Sequence, residues 1–191
     1  MEKLFQSILA LQRRLSDAGI PSIVIGGVAV GVWGDPRVTR DIDLKVLAER
    51  DDAERLWVAL SPDYTSLMPD PIRDLKGMGF LFVEDASGTR LDLLLADTPY
   101  DAQAIRRGRE VELEPGVTVK MCSPEDLIIY KMISTRPRDT ADAESVIRRQ
   151  SSKLDDDYVL DWLRQFEQAL DDSTLVAEYK HLRSKTPSPI G

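Results

Sequence analysis

The chain has 191 residues, 42% of them hydrophobic and 30% charged, with a formal net charge of −8. That is enough apolar material for one packed domain, or one with a modest appendage, without a disulfide or metal staple. The acidic balance argues against a dedicated nucleic-acid-binding domain, which is ordinarily basic. The single cysteine, Cys122, has no partner for an internal disulfide, so a reducing, cytoplasmic compartment is the simplest expectation. The N-terminus lacks the basic flank, apolar run and small-residue cleavage site of a signal peptide. No stretch approaches the ~18 uninterrupted apolar residues of a membrane span, so no membrane partner is expected.

In chain order, Leu4, Ile8, Leu11 and Leu15 repeat at helical spacing and predict an amphipathic helix over 2–18, stopped by Gly19 and Pro21. Ser22-Ile23-Val24-Ile25 reads as a buried strand. Gly26-Gly27 follows it, and a short helix is predicted over 28–33, broken by Gly34-Asp35-Pro36. Asp41 to Val46 alternates polar and apolar, the pattern of a half-buried strand. A helix is predicted over 51–60, with acids in its first turn, where the helix dipole favours them. Strands over 78–84 and 90–95 join through Asp85-Ala86-Ser87-Gly88, and one or two more strands flank Pro115-Gly116.

From Ser123 the character changes. Ser123-Pro124-Glu125-Asp126 is a helix start, with a serine cap, proline at the first position and acids behind it. Helices are predicted over 124–134, 138–149, 156–170 and 173–183. The expected organisation is an α/β core over 1–121, a helical region over 122–184 that completes the cleft, and a disordered tail over 185–191.

Asp41 and Asp43 stand two apart on a predicted strand, so their carboxylates share a face. Two acids that close repel unless a cation neutralises them. Hard divalent cations take oxygen ligands, and Mg²⁺ typically uses one or two protein carboxylates plus substrate phosphates. Arg90-Leu91-Asp92-Leu93-Leu94 supplies a third acid within an apolar run, where it is costly to bury alone. The same spacing also suits a merely solvated strand face. Gly26-Gly27, between strand and helix, lets a phosphate approach the backbone at a helix N-terminus, or simply makes a tight turn.

Together these residues resemble the nucleotidyltransferase superfamily, the fold of DNA polymerase β and the antibiotic nucleotidyltransferases. The pattern runs through Ile23-Val24-Ile25-Gly26-Gly27-Val28-Ala29, then Thr39-Arg40-Asp41-Ile42-Asp43-Leu44, then Leu91-Asp92-Leu93. The second half, Ser123 to Met132 followed by Arg136-Pro137-Arg138-Asp139-Thr140-Ala141-Asp142, is similar to the AbiEii-type nucleotidyltransferases, a group that includes toxins of toxin–antitoxin systems. Gly-Gly replaces the Gly-Ser common among AbiEii-like members. The antibiotic nucleotidyltransferases share the first half and are the closer rival.

The resemblance implies an α+β fold, a mixed β-sheet flanked by helices with a C-terminal helical region. It implies transfer of a nucleoside monophosphate from a nucleoside triphosphate onto a hydroxyl of RNA or protein, with Mg²⁺ or Mn²⁺ as cofactor and an antitoxin protein as partner of a toxin. Asp41, Asp43 and Asp92 would be the catalytic and metal-holding acids. Gly26, Gly27, Thr39, Arg40, Lys131 and Asp139 would bind the nucleotide. Lys131 on a solvent-facing helix surface, and Asp139 as a mere helix cap, are the plainer alternatives. A small-molecule acceptor of aminoglycoside type, or a non-catalytic nucleotide-binding module, stands beside this reading. Cys122 is expected to be a packed residue, since no histidine lies near it in sequence.

Overall fold

The computed structural model describes residues 2–39, 41–134 and 136–185. The predicted tail falls almost wholly outside them. The chain divides into two compact units, Met1–Val28 with Val38–Cys122, and Ala29–Arg37 with Ser123–Gly191.

The first unit is built on one seven-stranded sheet. In chain order it contains α1 (Glu2–Asp17), β1 (Ser22–Ile25), the start of α2 (Gly26–Trp33), β2 (Asp41–Val46), a 3-10 turn (Arg50–Asp52) leading into α3 (Ala53–Leu60), β3 (Tyr64–Ser66), α4 (Pro71–Met78), β4 (Phe80–Asp85), β5 (Arg90–Leu95), α5 (Pro99–Arg107), β6 (Arg109–Glu114) and β7 (Val117–Met121). The strand order is β3-β4-β5-β2-β1-β7-β6. The pairs β2–β5 and β1–β7 are parallel and the other four antiparallel.

Alternation along the strands sorts the sheet into two faces. Ile42, Leu44, Val46, Leu81, Val83, Leu91 and Leu93 are fully buried on one face, the side of the core shared with Ile8, Leu11 and Leu15 of α1, Leu56 and Leu60 of α3 and Leu75 of α4. Burying each such aliphatic side chain is worth roughly 1.5–3 kcal/mol, so this face holds the register firmly. The intervening residues, Asp41, Asp43, Lys45, Arg90, Asp92, Phe80 and Phe82, lie on the opposite face. There Lys45 reaches Asp101 of α5 at 2.9 Å. At the parallel β1–β7 junction the ladder is brief, with Val24 opposite Met121. The Gln12 side chain of α1 extends it. Its amide nitrogen donates to the Lys120 carbonyl at 2.7 Å, and its oxygen accepts the Lys120 backbone N–H at 2.8 Å.

Several boundaries shift by one or two residues from the sequence expectation, and one strand and two helices are additional to it. The helix expected from Asp51 begins as a 3-10 turn. The strand expected from Met78 starts at Phe80, because Met78 ends α4 and Gly79 turns the chain with φ +75°. The additional elements are β3, α4 and α5. Both helices begin on a cap-proline step: Asp70 accepts from the Arg73 N–H, and Thr98 from the Asp101 N–H.

The second unit contains the C-terminal residues of α2, α6 (Pro124–Met132), α7 (Pro137–Gln150), α8 (Asp156–Leu170) and α9 (Leu175–Ser184). The Ser123 hydroxyl caps α6 by accepting the Asp126 N–H at 3.1 Å. Asp126 in turn accepts from the Tyr158 hydroxyl of α8 at 2.6 Å. Asp156 at the start of α8 receives Tyr179 and a two-pronged Arg183 from α9, at 2.8 Å for each prong. Between α6 and α7, buried Lys131 meets Asp139 at 2.5 Å and Asp142 at 2.9 Å. Asp142 also takes Arg37 at 3.1 Å. Asp139 accepts further from Ser134 at 2.6 Å and Arg136 at 2.7 Å. Cys122, at the chain position where the first unit ends, is fully buried, as a packed residue should be.

Burial pushes the Asp139 carboxyl up. The hydrogen bonds from Lys131 and Ser134, the Lys131 charge and Arg136 together outweigh it and hold the group below its ordinary value. A carboxyl lowered in the folded state stabilises the fold above its unfolded pKa of 3.8 and loses that contribution as pH falls through the folded value. Asp139→Asn is therefore expected to cost about 2 kcal/mol at pH 7, since it leaves Lys131 with one buried counter-charge instead of two. Urea midpoints across pH check this: the gap between wild type and variant should close below about pH 4, and a gap independent of pH would contradict it.

Candidate active site

The site is set by the parallel pairing of β2 with β5. In that register Asp41 stands opposite Arg90, and Asp43 opposite Asp92. Residues two apart on a strand share a face, so all four side chains emerge from one patch of the sheet. Exposure grades across it: Asp41 is exposed, Asp43 half-buried and Asp92 buried at 9%. The backbone thus places the three acids on adjacent strands, as the sequence suggested.

Gly26 packs directly against this patch. Ile25, the last residue of β1, is the cross-strand partner of Asp43. Gly26 then turns with φ +64°, a conformation that L side chains avoid. A Cβ there would stand 2.6 Å from the Asp43 carboxyl carbon and 2.8 Å from its Cβ. Glycine is required twice over, for the backbone turn and for the space. Gly27 follows, buried, in the first turn of α2. The Thr39 hydroxyl donates to the Asp41 carboxylate and main-chain carbonyl, both at 3.1 Å, so it orients the first acid. Arg40 lies outside the described residues.

Arg90 belongs to this patch too, and the sequence reading did not single it out. Its Nε donates to Asp92 Oδ1 at 2.7 Å and its Nη2 to Oδ2 at 3.0 Å. Its guanidinium carbon sits 4.4 Å from the centre of the Phe82 ring, which stacks on Phe80. The hydrogen bonds from Arg90 to Asp92 raise its pKa most, against some desolvation, with the charges of Asp92, Asp41 and Asp43 adding to the rise. The signal was available: the period-two rule that joined Asp41 to Asp43 also joins Arg90 to Asp92.

The other expected nucleotide contacts, Lys131 and Asp139, are brought together with each other in the second unit. Lys131 is 5% exposed, which rules out a solvent-facing helix position. Asp139 sits in the first turn of α7, but its carboxylate serves the Lys131, Ser134 and Arg136 contacts.

Among the described residues, no group of three or more acid, histidine or cysteine side chains stands arranged to enclose a metal ion. Both Asp92 oxygens accept from Arg90 instead. The donor chemistry still fits a hard divalent cation. Adjacent carboxylates on a half-open face supply one or two oxygen ligands, the usual protein share for Mg²⁺ when phosphates complete the shell.

Residues 4–178 match the family described as "Nucleotidyl transferase of unknown function (DUF2204)". No curated protein matches the sequence. Among solved structures, the antibiotic-resistance factor ANT(2'')-Ia is 15% identical, with a TM-score of 0.57 over 88% of this chain and 94% of that one. An antigenic nucleotidyltransferase-like protein from Paracoccidioides brasiliensis is 20% identical, with a TM-score of 0.51 over 92% and 96%. The lincosamide antibiotic adenylyltransferase LnuA, with lincomycin bound, is 16% identical, with a TM-score of 0.51 over 76% and 96%. At these identities the likeness is one of fold, and it agrees with the α+β mixed sheet described above. Among the described residues no helix is long and apolar enough to cross a membrane. With the family match spanning nearly the whole chain, the chain belongs to the DUF2204 nucleotidyl transferase family and is an enzyme of nucleotidyl transfer.

Proposed function

We propose that this enzyme uses Mg²⁺ or Mn²⁺ to move a nucleoside monophosphate from a nucleoside triphosphate to a hydroxyl of RNA or protein. The single observation that carries the reading is the β2–β5 register, which sets Asp43 beside Asp92 and next to the Gly26 turn. The resemblance of 123–142 to AbiEii-type enzymes supports a macromolecular acceptor and, for a toxin, an antitoxin protein as partner.

In this account Asp41, Asp43 and Asp92 would hold the metal, which when bound would neutralise triphosphate charge. Gly26 and Gly27 let phosphate oxygens approach the backbone at the α2 N-terminus. Thr39 keeps Asp41 turned toward the site. Asp92 takes up the acceptor proton as the acceptor oxygen bonds to the α-phosphorus. The bond from that phosphorus to the bridging oxygen breaks, and pyrophosphate leaves. Asp92 can serve both as a metal ligand and as the proton acceptor, because a carboxylate offers about four lone-pair sites. Lys131 and Asp139 would join nucleotide binding by exchanging ion-pair partners, since each is satisfied in its own network.

Incubation with radiolabelled nucleoside triphosphates, Mg²⁺ and separate pools of RNA, protein, aminoglycosides and lincosamides tests the reading. Label is expected in RNA or protein, and a labelled antibiotic would move the acceptor to the small-molecule class. Asp43→Asn should lower incorporation at least about a hundredfold while leaving the melting temperature near that of wild type. Unchanged incorporation would remove Asp43 from the chemistry.

Gly26→Ala is expected to cost about 1–2 kcal/mol from its left-handed backbone alone. It should also lower transfer more than about tenfold, because the added methyl displaces the Asp43 carboxylate and a misplacement of that size is costly in rate. Thermal melting and single-turnover assays check the two effects separately.

A further inference from the structure

On the half-open face of the sheet Asp41, Asp43 and Asp92 lie close to Arg90, while Lys45, farther along β2, is paired with Asp101. Arg90 holds Asp92 by a two-pronged contact at 2.7 and 3.0 Å, a geometry that fixes the carboxylate plane and occupies both of its oxygens. The two partners differ sharply in exposure. The Arg90 side chain is 46% exposed and that of Asp92 13%. Asp92 is fixed in a buried strand, whereas Arg90 has a long, half-solvated stem, and its guanidinium carbon lies 4.4 Å from the centre of the Phe82 ring while its fork holds Asp92. Arg90 can therefore leave Asp92 without unfolding anything, and Asp92 cannot leave Arg90.

From this we infer that Arg90 is a built-in counter-cation that guards Asp92 in the metal-free enzyme and competes with the divalent metal for it. The inference rests on the reading of Asp41, Asp43 and Asp92 as the metal-holding acids. Like-charged carboxylates on neighbouring strands repel, and the guanidinium relieves that repulsion until a metal replaces it. A guanidinium is a single positive charge on a mobile arm, and a dication close to the same oxygens repels it. Arg90 is thus a positioning residue that acts through Asp92. It keeps the third acid paired and aimed when no substrate is bound, and sets how tightly the site takes metal before nucleotide arrives.

The test is Mn²⁺ binding to the full chain without nucleotide, followed by electron paramagnetic resonance, with thermal melts in EDTA and in Mn²⁺. Arg90→Gln should bind Mn²⁺ about tenfold more tightly than wild type, the scale of removing one like charge from a partly solvated site. Its melting temperature should fall in EDTA and rise with Mn²⁺ by more than that of wild type. Arg90→Lys keeps the charge and loses the fork, so it should fold like wild type and bind Mn²⁺ about threefold more tightly. Equal or weaker Mn²⁺ binding by both variants, or by Arg90→Lys if Arg90→Gln does not fold, overturns the inference. The reading beneath it is tested separately by Asp43→Asn. If that variant binds Mn²⁺ as wild type does, the acids are not the metal site and both fall. If it loses Mn²⁺ while the Arg90 variants are unchanged, only the role of Arg90 falls.

Discussion

The parallel alignment of β2 with β5 is the constraint on which the rest of the site depends. It sets Asp43 directly beside Asp92, and Asp41 beside Arg90. Such a concentration of negative charge would be unfavourable on an unsupported strand. The sheet tolerates it because the opposite face of the same strands is wholly aliphatic, with Ile42, Leu44, Leu91 and Leu93 fully buried. A slip of one residue would turn that apolar set outward and the acids inward, so the hydrophobic face holds the polar face in place. The arrangement of the acids is in this sense a by-product of core packing.

The neighbours of the acids act in the same sense. Gly26 leaves room for Asp43, Thr39 turns Asp41, and Arg90 fixes Asp92. Each acid has its own orienting group, drawn from a different stretch of chain. The ion-pair cluster around Lys131 in the second unit follows another logic. There two buried aspartates share one lysine between α6 and α7, and the Lys131 contact that helps depress the Asp139 carboxyl also ties the helices together.

Much of this was legible in the sequence, and for identifiable reasons. The strand at Asp41–Val46 and the run at Arg90–Leu95 alternate or concentrate apolar residues strongly enough to fix both element and face. The glycine step and the Ser123-Pro124 helix start are local signals with local causes. Three residues of β3 are too few to show a period. The helices α4 and α5 did carry cap-proline starts, at Asp70-Pro71 and Thr98-Pro99, but their short apolar stripes were masked by charge. Arg90 was passed over because a cation next to acids looks like surface chemistry until strand pairing shows where its fork points. The burial of Lys131 depends on Asp139 and Asp142 from the following helix, and no window around Lys131 alone reveals it.

The Gln12 clamp has a consequence for how the chain acquires its structure. A side-chain amide completes the junction where β1 and β7 run parallel, and Gln12 and Lys120 are 108 positions apart. Contacts between such distant segments form late, because closing the intervening loop is entropically costly. During synthesis α1 and β1 emerge early and must wait for Lys120 before that flank of the sheet is sealed. Until then the β1 edge is an open template for stray strands, the kind of surface that chaperones shield.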